Sequence, residues 1–327
     1  MKIKKKNLFI LTLSVLLVVL ITISGFAVVL SGMERDPYNI SVIVSESQDS
    51  RWNMFFAGIE QASQDYKVKI NTVSVPVSIA MNDEFVLIND EVNGGADGMI
   101  VEFSNCIGTS DFIGQLSTQT VLELVETRAD ADVDVEGKYA FIGADDNELG
   151  AALANEIRLK FGNSLSGKKI GIITGSQKQY STMMRREGFM SAIETTGASI
   201  VWEISGIYNA EELIMYKQRS ENADIVVAFT DSGLEKISEF ASKYSDDVYI
   251  VGVGTSIQNV SFVDDGVIGS MVVPNEYYMG YRSVAAICEK LENKLSPMSD
   301  EIVSYKIVNK ENLFDEANQR MLFPVIE

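Results

Sequence analysis

From residue 39 onward, short runs of β-branched and aliphatic residues alternate with longer amphipathic stretches. Strands are expected at residues 40–44, 68–75, 98–103, 121–125 and 139–143. A second series falls at 169–174, 200–204, 225–229, 248–252 and 268–273, and a late strand at 302–308. Between them, 51–66 places Phe55, Ile59, Ala62 and Tyr66 on one helical face, and 147–161 and 183–195 behave likewise. Short apolar strands alternating with helices imply βαβ units and parallel sheets. Ten strands before the late one suit two doubly wound sheets better than one, and the pattern halves near Asp146. With only five prolines and no low-complexity tract between the halves, the lobes must connect closely. In open parallel sheets ligands bind outside the carboxyl ends of the strands, so the cleft between two such lobes is the expected site.

The N-terminus is of another kind. Residues 1–7 carry Lys2, Lys4, Lys5 and Lys6, and residues 8–30 then run 23 positions without a charge. A helix of that length spans a bilayer, and the lysines put its short side in the cytoplasm. The expected arrangement is a single membrane-spanning anchor with the remainder outside. A cleaved signal peptide is the alternative, with Gly25-Phe26-Ala27 as a small-residue cleavage site. No cysteine lies near the end of the run, so a lipoprotein tether is not available.

Charge and composition exclude several functions. The net charge is −19, and all of the excess acid lies after the apolar run. Such a surface repels phosphate backbones, so nucleic acid is not an expected partner. The chain has no histidine, which removes His-based triads and His-ligated zinc. Its two cysteines, Cys106 and Cys288, do not make a disulfide framework and read as small buried apolar residues. No metal site, cofactor or enzymatic activity is expected. Asp145 and Asp146 are adjacent, so they need not flank one glycosidic bond, and a glycoside hydrolase is the least favoured class.

Several motifs, in order, resemble the type I periplasmic sugar-binding proteins, the family of ribose- and galactose-binding proteins and of lac-repressor-like effector domains. Residues 40–45 with Trp52 and Phe55-Phe56-Ala57-Gly58-Ile59 are similar to its opening. Gly94-Gly95-Ala96-Asp97-Gly98 resembles the turn ahead of its first ligand loop, and Gly143-Ala144-Asp145-Asp146 a strand end that crosses between lobes. Arg185-Arg186-Glu187-Gly188-Phe189 is similar to its Arg-x-x-Gly-Phe helix. Phe229-Thr230-Asp231 and Val251-Gly252-Val253-Gly254 resemble two of its loops, and 274–284 its return helix. The resemblance implies two lobes joined by three crossings, near Asp146, Pro274 and Ser304. The expected division is a basic stub at 1–7, an anchor at 8–30 and a linker at 31–38. Lobe 1 then takes 39–146 with 275–303, and lobe 2 takes 147–274 with 304–327.

A sugar offers apolar faces and a ring of hydroxyls, so its site needs an aromatic plane and bidentate polar groups. On that basis the resemblance implies Trp52, Arg51, Glu102, Arg128, Asp145, Asp146, Arg185, Asp231 and Asn275 as ligand-binding residues. Each has a competing structural role: Trp52 as packing, Arg51 as surface, Asp146 and Asp231 as helix caps. Four positions depart from the family's pattern. Met183, Thr230, Gly254 and Pro274 stand where hydroxyl-reading Arg, Asn, Asp and Gln are common. Each sugar hydroxyl left unpaired in a closed cleft costs about 1–3 kcal/mol. A differently bound solute, with help from Tyr180, Ser181, Thr255 or Asn275, and a fold that has lost its ligand both remain open. The expected partners are a carbohydrate-like small molecule and a membrane permease or sensor kinase.

Overall fold

The computed structural model describes residues 13–22, 36–46, 50–131, 133, 138–206, 209–244 and 247–323. The chain divides into two compact units, Met1–Pro37 and Tyr38–Glu327. In the first, the described part is a ten-residue helix, α1 (13–22), with Leu13, Leu16, Leu17 and Leu20 exposed. The other positions of the expected 8–30 span lie outside the described residues. Among those described, no helix is long and apolar enough to cross a membrane.

The second unit holds two lobes, each built on one six-stranded sheet. The first series runs β1 (Asn39–Ser45), α2 (Asn53–Tyr66), β2 (Lys69–Val75), α3 (Met81–Asn93), β3 (Gly98–Val101), α4 (Ser110–Gln119), β4 (Val121–Val125) and β5 (Tyr139–Ala144). The second runs α5 (Asp146–Phe161), β6 (Lys169–Ile173), α6 (Tyr180–Ile193), β7 (Ser199–Ile204), α7 (Ala210–Ser220), β8 (Ile225–Ala228), α8 (Asp231–Tyr244), β9 (Tyr249–Val253), α9 (Ile257–Asp265) and β10 (Ile268–Pro274). The chain ends with α10 (Glu276–Glu292), β11 (Glu301–Val303), β12 (Tyr305–Val308) and α11 (Glu316–Leu322). The sheet orders are β11-β5-β4-β3-β1-β2 and β12-β10-β9-β8-β6-β7. The two parallel-sheet lobes anticipated from the alternation are therefore present.

The strands read as near-continuous apolar runs because both faces of each sheet are covered. Along β1, Ile40, Val42 and Val44 join one core cluster and Ile43 the opposite one. Along β8, Ile225 and Val227 face one way and Val226 and Ala228 the other. This is the two-residue alternation of a strand, with hydrophobic partners on both sides.

The end of the chain differs from expectation. The apolar run at 302–308 is not one strand but two, broken at Ser304, and the halves belong to different sheets. β11 pairs parallel with β5, whereas β12 pairs antiparallel with β10, so the second sheet is not wholly parallel. A strand that changes sheets must interrupt its ladder, and a single residue suffices. The chain passes from one sheet's layers to the other's also between β5 and α5, and between β10 and α10, which packs against α2.

Candidate functional site

The carboxyl ends of β1, β3 and β4 face those of β6, β8 and β9 across a cleft, and the loops that follow these strands carry the polar side chains. At its floor lies a narrow chamber that leaves about 30 Å³ for the centres of water-sized groups. Nearer the mouth, a second space of about 350 Å³ is bounded by Ser176, Asn209 and Ser232. Arg51, Gln179 and Thr230 line both spaces and form the wall between them.

Arg185, on the first turns of α6, is the centre of the floor. Its Nε donates to Asp146 Oδ1 at 2.7 Å, Nη1 to the Phe229 carbonyl at 3.0 Å and Nη2 to both Glu126 carboxylate oxygens at 3.3 Å. All three charged residues are buried. Burial alone would lower the Arg185 pKa, but Asp146 and Glu126 more than reverse that and hold it above its ordinary value. Burial pushes the Asp146 carboxyl up to about 7 against the pull of Arg185, and Glu126 adds to the rise. Two carboxylates share one guanidinium, and enclosure makes the Asp146 carboxyl hold its proton more tightly than an ordinary aspartate. Glu126 has a positive φ of 57°, a left-handed conformation that non-glycine residues rarely adopt. That strained backbone at the end of β4 coincides with its carboxylate meeting Arg185.

Trp52 forms another wall. It closes the short 3₁₀ turn Ser50–Trp52, is 3% exposed, and its Nε1 donates to the Ser45 carbonyl at 2.9 Å. The Arg51 guanidinium lies over its ring, 4.2 Å from the centroid, and donates to Glu102 at 3.0 Å. Glu102 also accepts from the Ser45 N–H at 2.9 Å and from Gln179 Nε2 at 3.1 Å. Opposite, Asp231 Oδ1 accepts from the backbone N–H groups of Thr255 and Ser256, at 2.6 and 3.0 Å, and from Asn259 Nδ2 at 3.0 Å. Glu276, at the start of α10, is half-buried as a residue, but its carboxyl is the enclosed part and accepts from Thr255 Oγ1 at 3.0 Å. Burial, with Glu126 and Asp231 close by, pushes that carboxyl well above the usual range.

A family model described as "Periplasmic binding protein domain" matches residues 40–295. This chain belongs to that family. Solved structures agree at the level of fold. A carbohydrate transporter solute-binding protein from Agrobacterium radiobacter, in complex with D-arabinose, superposes with a TM-score of 0.79 at 18% identity, over 89% of this chain and 100% of the other. GanP, a glucose-galactose binding protein from Geobacillus stearothermophilus, gives 0.74 at 18% identity, over 86% and 100%. The XylFII-LytSN complex gives 0.73 at 18%, over 85% of this chain and 99% of that one. Comparison with curated proteins gives no match. The family and these structural neighbours are substrate-binding proteins, and a periplasmic binding domain is an extracytoplasmic type of module.

In this periplasmic binding protein the implied site residues separate into two groups. Trp52, Arg51, Arg185 and Asp231 line the floor chamber, and Glu102 and Asp146 stand behind it as partners of the two arginines. Arg128, Asp145 and Asn275 do not line the chamber. Arg128 pairs with Asp300 at 2.5 Å and lies 3.9 Å over the Phe141 ring. Asp145, exposed, caps α5 by accepting from the Glu148 N–H at 3.0 Å, so the cap is Asp145 and not its neighbour Asp146. Asn275 caps α10 through the Tyr278 N–H. Nor is Asp231 a cap: at the start of α8 that role falls to Thr230, whose Oγ1 accepts from the Gly233 N–H at 3.2 Å.

Two of the departures from the family pattern, Met183 and Gly254, have visible contacts in the cleft. Met183 Sδ meets Cys106 Sγ at 3.9 Å across the cleft. Gly254 lines the chamber, where a Cβ would fall 2.8 Å from Asp231 Oδ1. Glu126, Gln179, Thr182 and Glu276 were not among the implied site residues, yet all four line the chamber. For Glu276 the available signal was its place directly after the Pro274–Asn275 crossing. Gln179 and Thr182 carried none.

Proposed function

We propose that this chain is an extracytoplasmic solute receptor that closes its two lobes on a carbohydrate-like small molecule and presents it to a membrane partner. One observation carries this reading: Trp52, Arg51 and Glu126 of one lobe and Gln179, Arg185 and Asp231 of the other converge on a single chamber. An aromatic plane beside charged bidentate groups is the chemistry that recognises a polyol. The likeness to a D-arabinose complex supports the ligand class. The likeness to the XylFII-LytSN complex supports a sensor as the partner, with a permease as the alternative. The uncharged run at 8–30 supports a membrane anchor that keeps the receptor beside that partner. The test is thermal unfolding against a panel of sugars, polyols and nucleosides. A ligand at about 100 times its dissociation constant stabilises by about 2.7 kcal/mol, which moves the melting point by several degrees.

A second reading has its own observation. The Arg51 guanidinium covers one face of the Trp52 ring, and with Trp52 only 3% exposed little of that ring is open for a sugar to stack on. An interaction module that kept the fold without its ligand, acting beside a sensor kinase, would be built in this way. Binding of the kinase ectodomain with no stabilisation by any compound favours it. Hydrolysis of a glycoside by purified protein would contradict both readings.

A further inference from the structure

We propose that the solute carries a protonated amine on a polyhydroxylated body, as an amino sugar or amino polyol does, with the ammonium in the floor chamber and the body in the outer space. This rests on the receptor reading above and names its ligand class. Charge balance is the first argument. Glu126, Asp231 and Glu276 line the chamber, and Glu102 and Asp146 are bound to its two guanidiniums. Two cations therefore face five carboxyl groups. Arg185 is divided between Asp146 and Glu126, and Arg51 bonds Glu102. Asp231 is satisfied by two backbone N–H groups and Asn259. Glu276 has a hydroxyl, Thr255 Oγ1, as its hydrogen-bond donor and no cation in a salt bridge among the described residues. A carboxyl enclosed without a counter-charge keeps its proton, and a cation beside it favours the ionised form and pairs with it.

The second argument is independent of charge. Thr182 is 1% exposed, lines the same chamber, and its Oγ1 has no hydrogen-bond partner among the described residues. A buried hydroxyl without a partner costs about 1–3 kcal/mol. An ammonium has three N–H donors and no acceptor. It matches a chamber that offers Glu276, Glu126 and the Thr182 hydroxyl. A sugar hydroxyl brings one donor and leaves the net charge unchanged.

Size is the third. The floor chamber, at about 30 Å³, takes a group of ammonium size and not a sugar ring. The outer space, at about 350 Å³, falls within the range of small-molecule pockets. Its Ser176, Asn209, Thr230 and Ser232 are hydroxyl and amide groups suited to a polyol. Arg51 and Gln179 line both spaces, so a solute that reaches from one to the other passes between them.

The experiment is calorimetric titration of the full chain in detergent micelles at neutral pH. The probes are D-glucosamine and D-galactosamine, their neutral parents D-glucose and D-galactose, and N-acetyl-D-glucosamine, which keeps the ring and loses the charge. At least one amine is expected to bind about tenfold more tightly than its parent, or about 1.4 kcal/mol. Glu276→Gln should collapse that preference to below about threefold, again relative to the neutral parent. Thr182→Val should weaken the amine several-fold, and it serves as the second variant if Glu276→Gln does not fold. Neutral sugars binding as tightly as the amines would overturn the inference and leave the receptor reading standing. No binding in either series would overturn both.

Discussion

Arg185 shows how a buried ion group constrains stability. Replacing it with methionine leaves Asp146 and Glu126 buried with no guanidinium between them. Breaking such a group by removing one partner costs about 3–5 kcal/mol, to be read as a lower urea midpoint. Arg186, the next residue, pairs with Glu203 at 2.9 Å but is 42% exposed. Arg186→Ala is expected to cost under about 1 kcal/mol, so the two neighbours form an internal comparison. The same group sets the pH response. The folded-state pKa of Asp146, about 7, lies above its ordinary 3.8, so the folded chain holds this proton more tightly than the unfolded one. The stability this contributes is complete below the ordinary carboxylate range and is lost as the pH rises through about 7. Glu276 and Glu123, whose carboxyls burial also pushes up, act in the same direction. Asp130 and Glu211 are lowered by hydrogen bonds from Ser110 and Lys243, so they act only at acid pH. With no histidine in the chain, no imidazole obscures the window. The melting temperature is therefore expected to fall between pH 5.5 and 8, and Asp146→Asn to flatten that fall. A melting temperature that rises over the same interval would contradict the assignment.

At the scale of elements, two helix pairs make the same kind of contact. On α5 and α6, a Cβ at Gly150 would fall 1.9 Å from the Arg185 carbonyl oxygen, and one at Gly188 2.0 Å from that of Asn147. On α2 and α10, Gly58 faces Tyr277 O and Gly280 faces Phe55 O, each at 2.0 Å. These distances involve backbone, which cannot swing away, so the helices must separate to admit a methyl group. Gly150→Ala and Gly58→Ala are each expected to destabilise by about 1–3 kcal/mol or more in urea unfolding. This geometry explains why the Arg-x-x-Gly-Phe motif was legible in sequence. Arg185 holds the floor, Gly188 admits α5, and Phe189 packs on Phe229 with ring centroids 5.6 Å apart. The strands were legible for a similar reason, because burial on both faces demands unbroken apolar runs. What was not legible depended on distance along the chain. Asp145 and Asp146 both satisfy the rule for a cap, and only Arg185, 39 residues on, selects the second for burial. The 302–308 run reads as one strand by its apolar pattern, and only the family resemblance points to a crossing near Ser304, where the ladder passes from one sheet to the other. Gln179 and Thr182 belong to no motif, because the chamber is defined by which loops meet and not by local spacing.

Across the whole molecule, the protein's own groups bridge the cleft. Arg185 meets Glu126, Gln179 Nε2 donates to Glu102 at 3.1 Å, and the Cys106 N–H donates to the Lys178 carbonyl at 3.1 Å. Near the mouth Ser50 Oγ donates to Glu235 at 3.1 Å. The lobes are otherwise joined by short crossings, a connection that permits hinge closure. The bridging bonds therefore set the balance between open and closed forms. Gln179→Ala and Ser50→Ala remove two of them without touching the Arg185 group. Both bonds end on carboxylates and contribute about 1.5–3 kcal/mol each, so losing both shifts the balance toward the open form by about 3–6 kcal/mol. That is a change of about two to four powers of ten in population, since 1.4 kcal/mol is tenfold. Fluorophores on the exposed positions Ile107 and Tyr216, one in each lobe, would report it as lower energy transfer. A solute spanning the cleft recovers the transfer only as far as it binds the closed form better than the open one. The recovered fraction in the double variant thus measures differential affinity, whereas a molecule that binds one lobe alone leaves the transfer low. Unchanged transfer in the unliganded variant would mean that closure rests on the Arg185 group and the crossings, not on these ties.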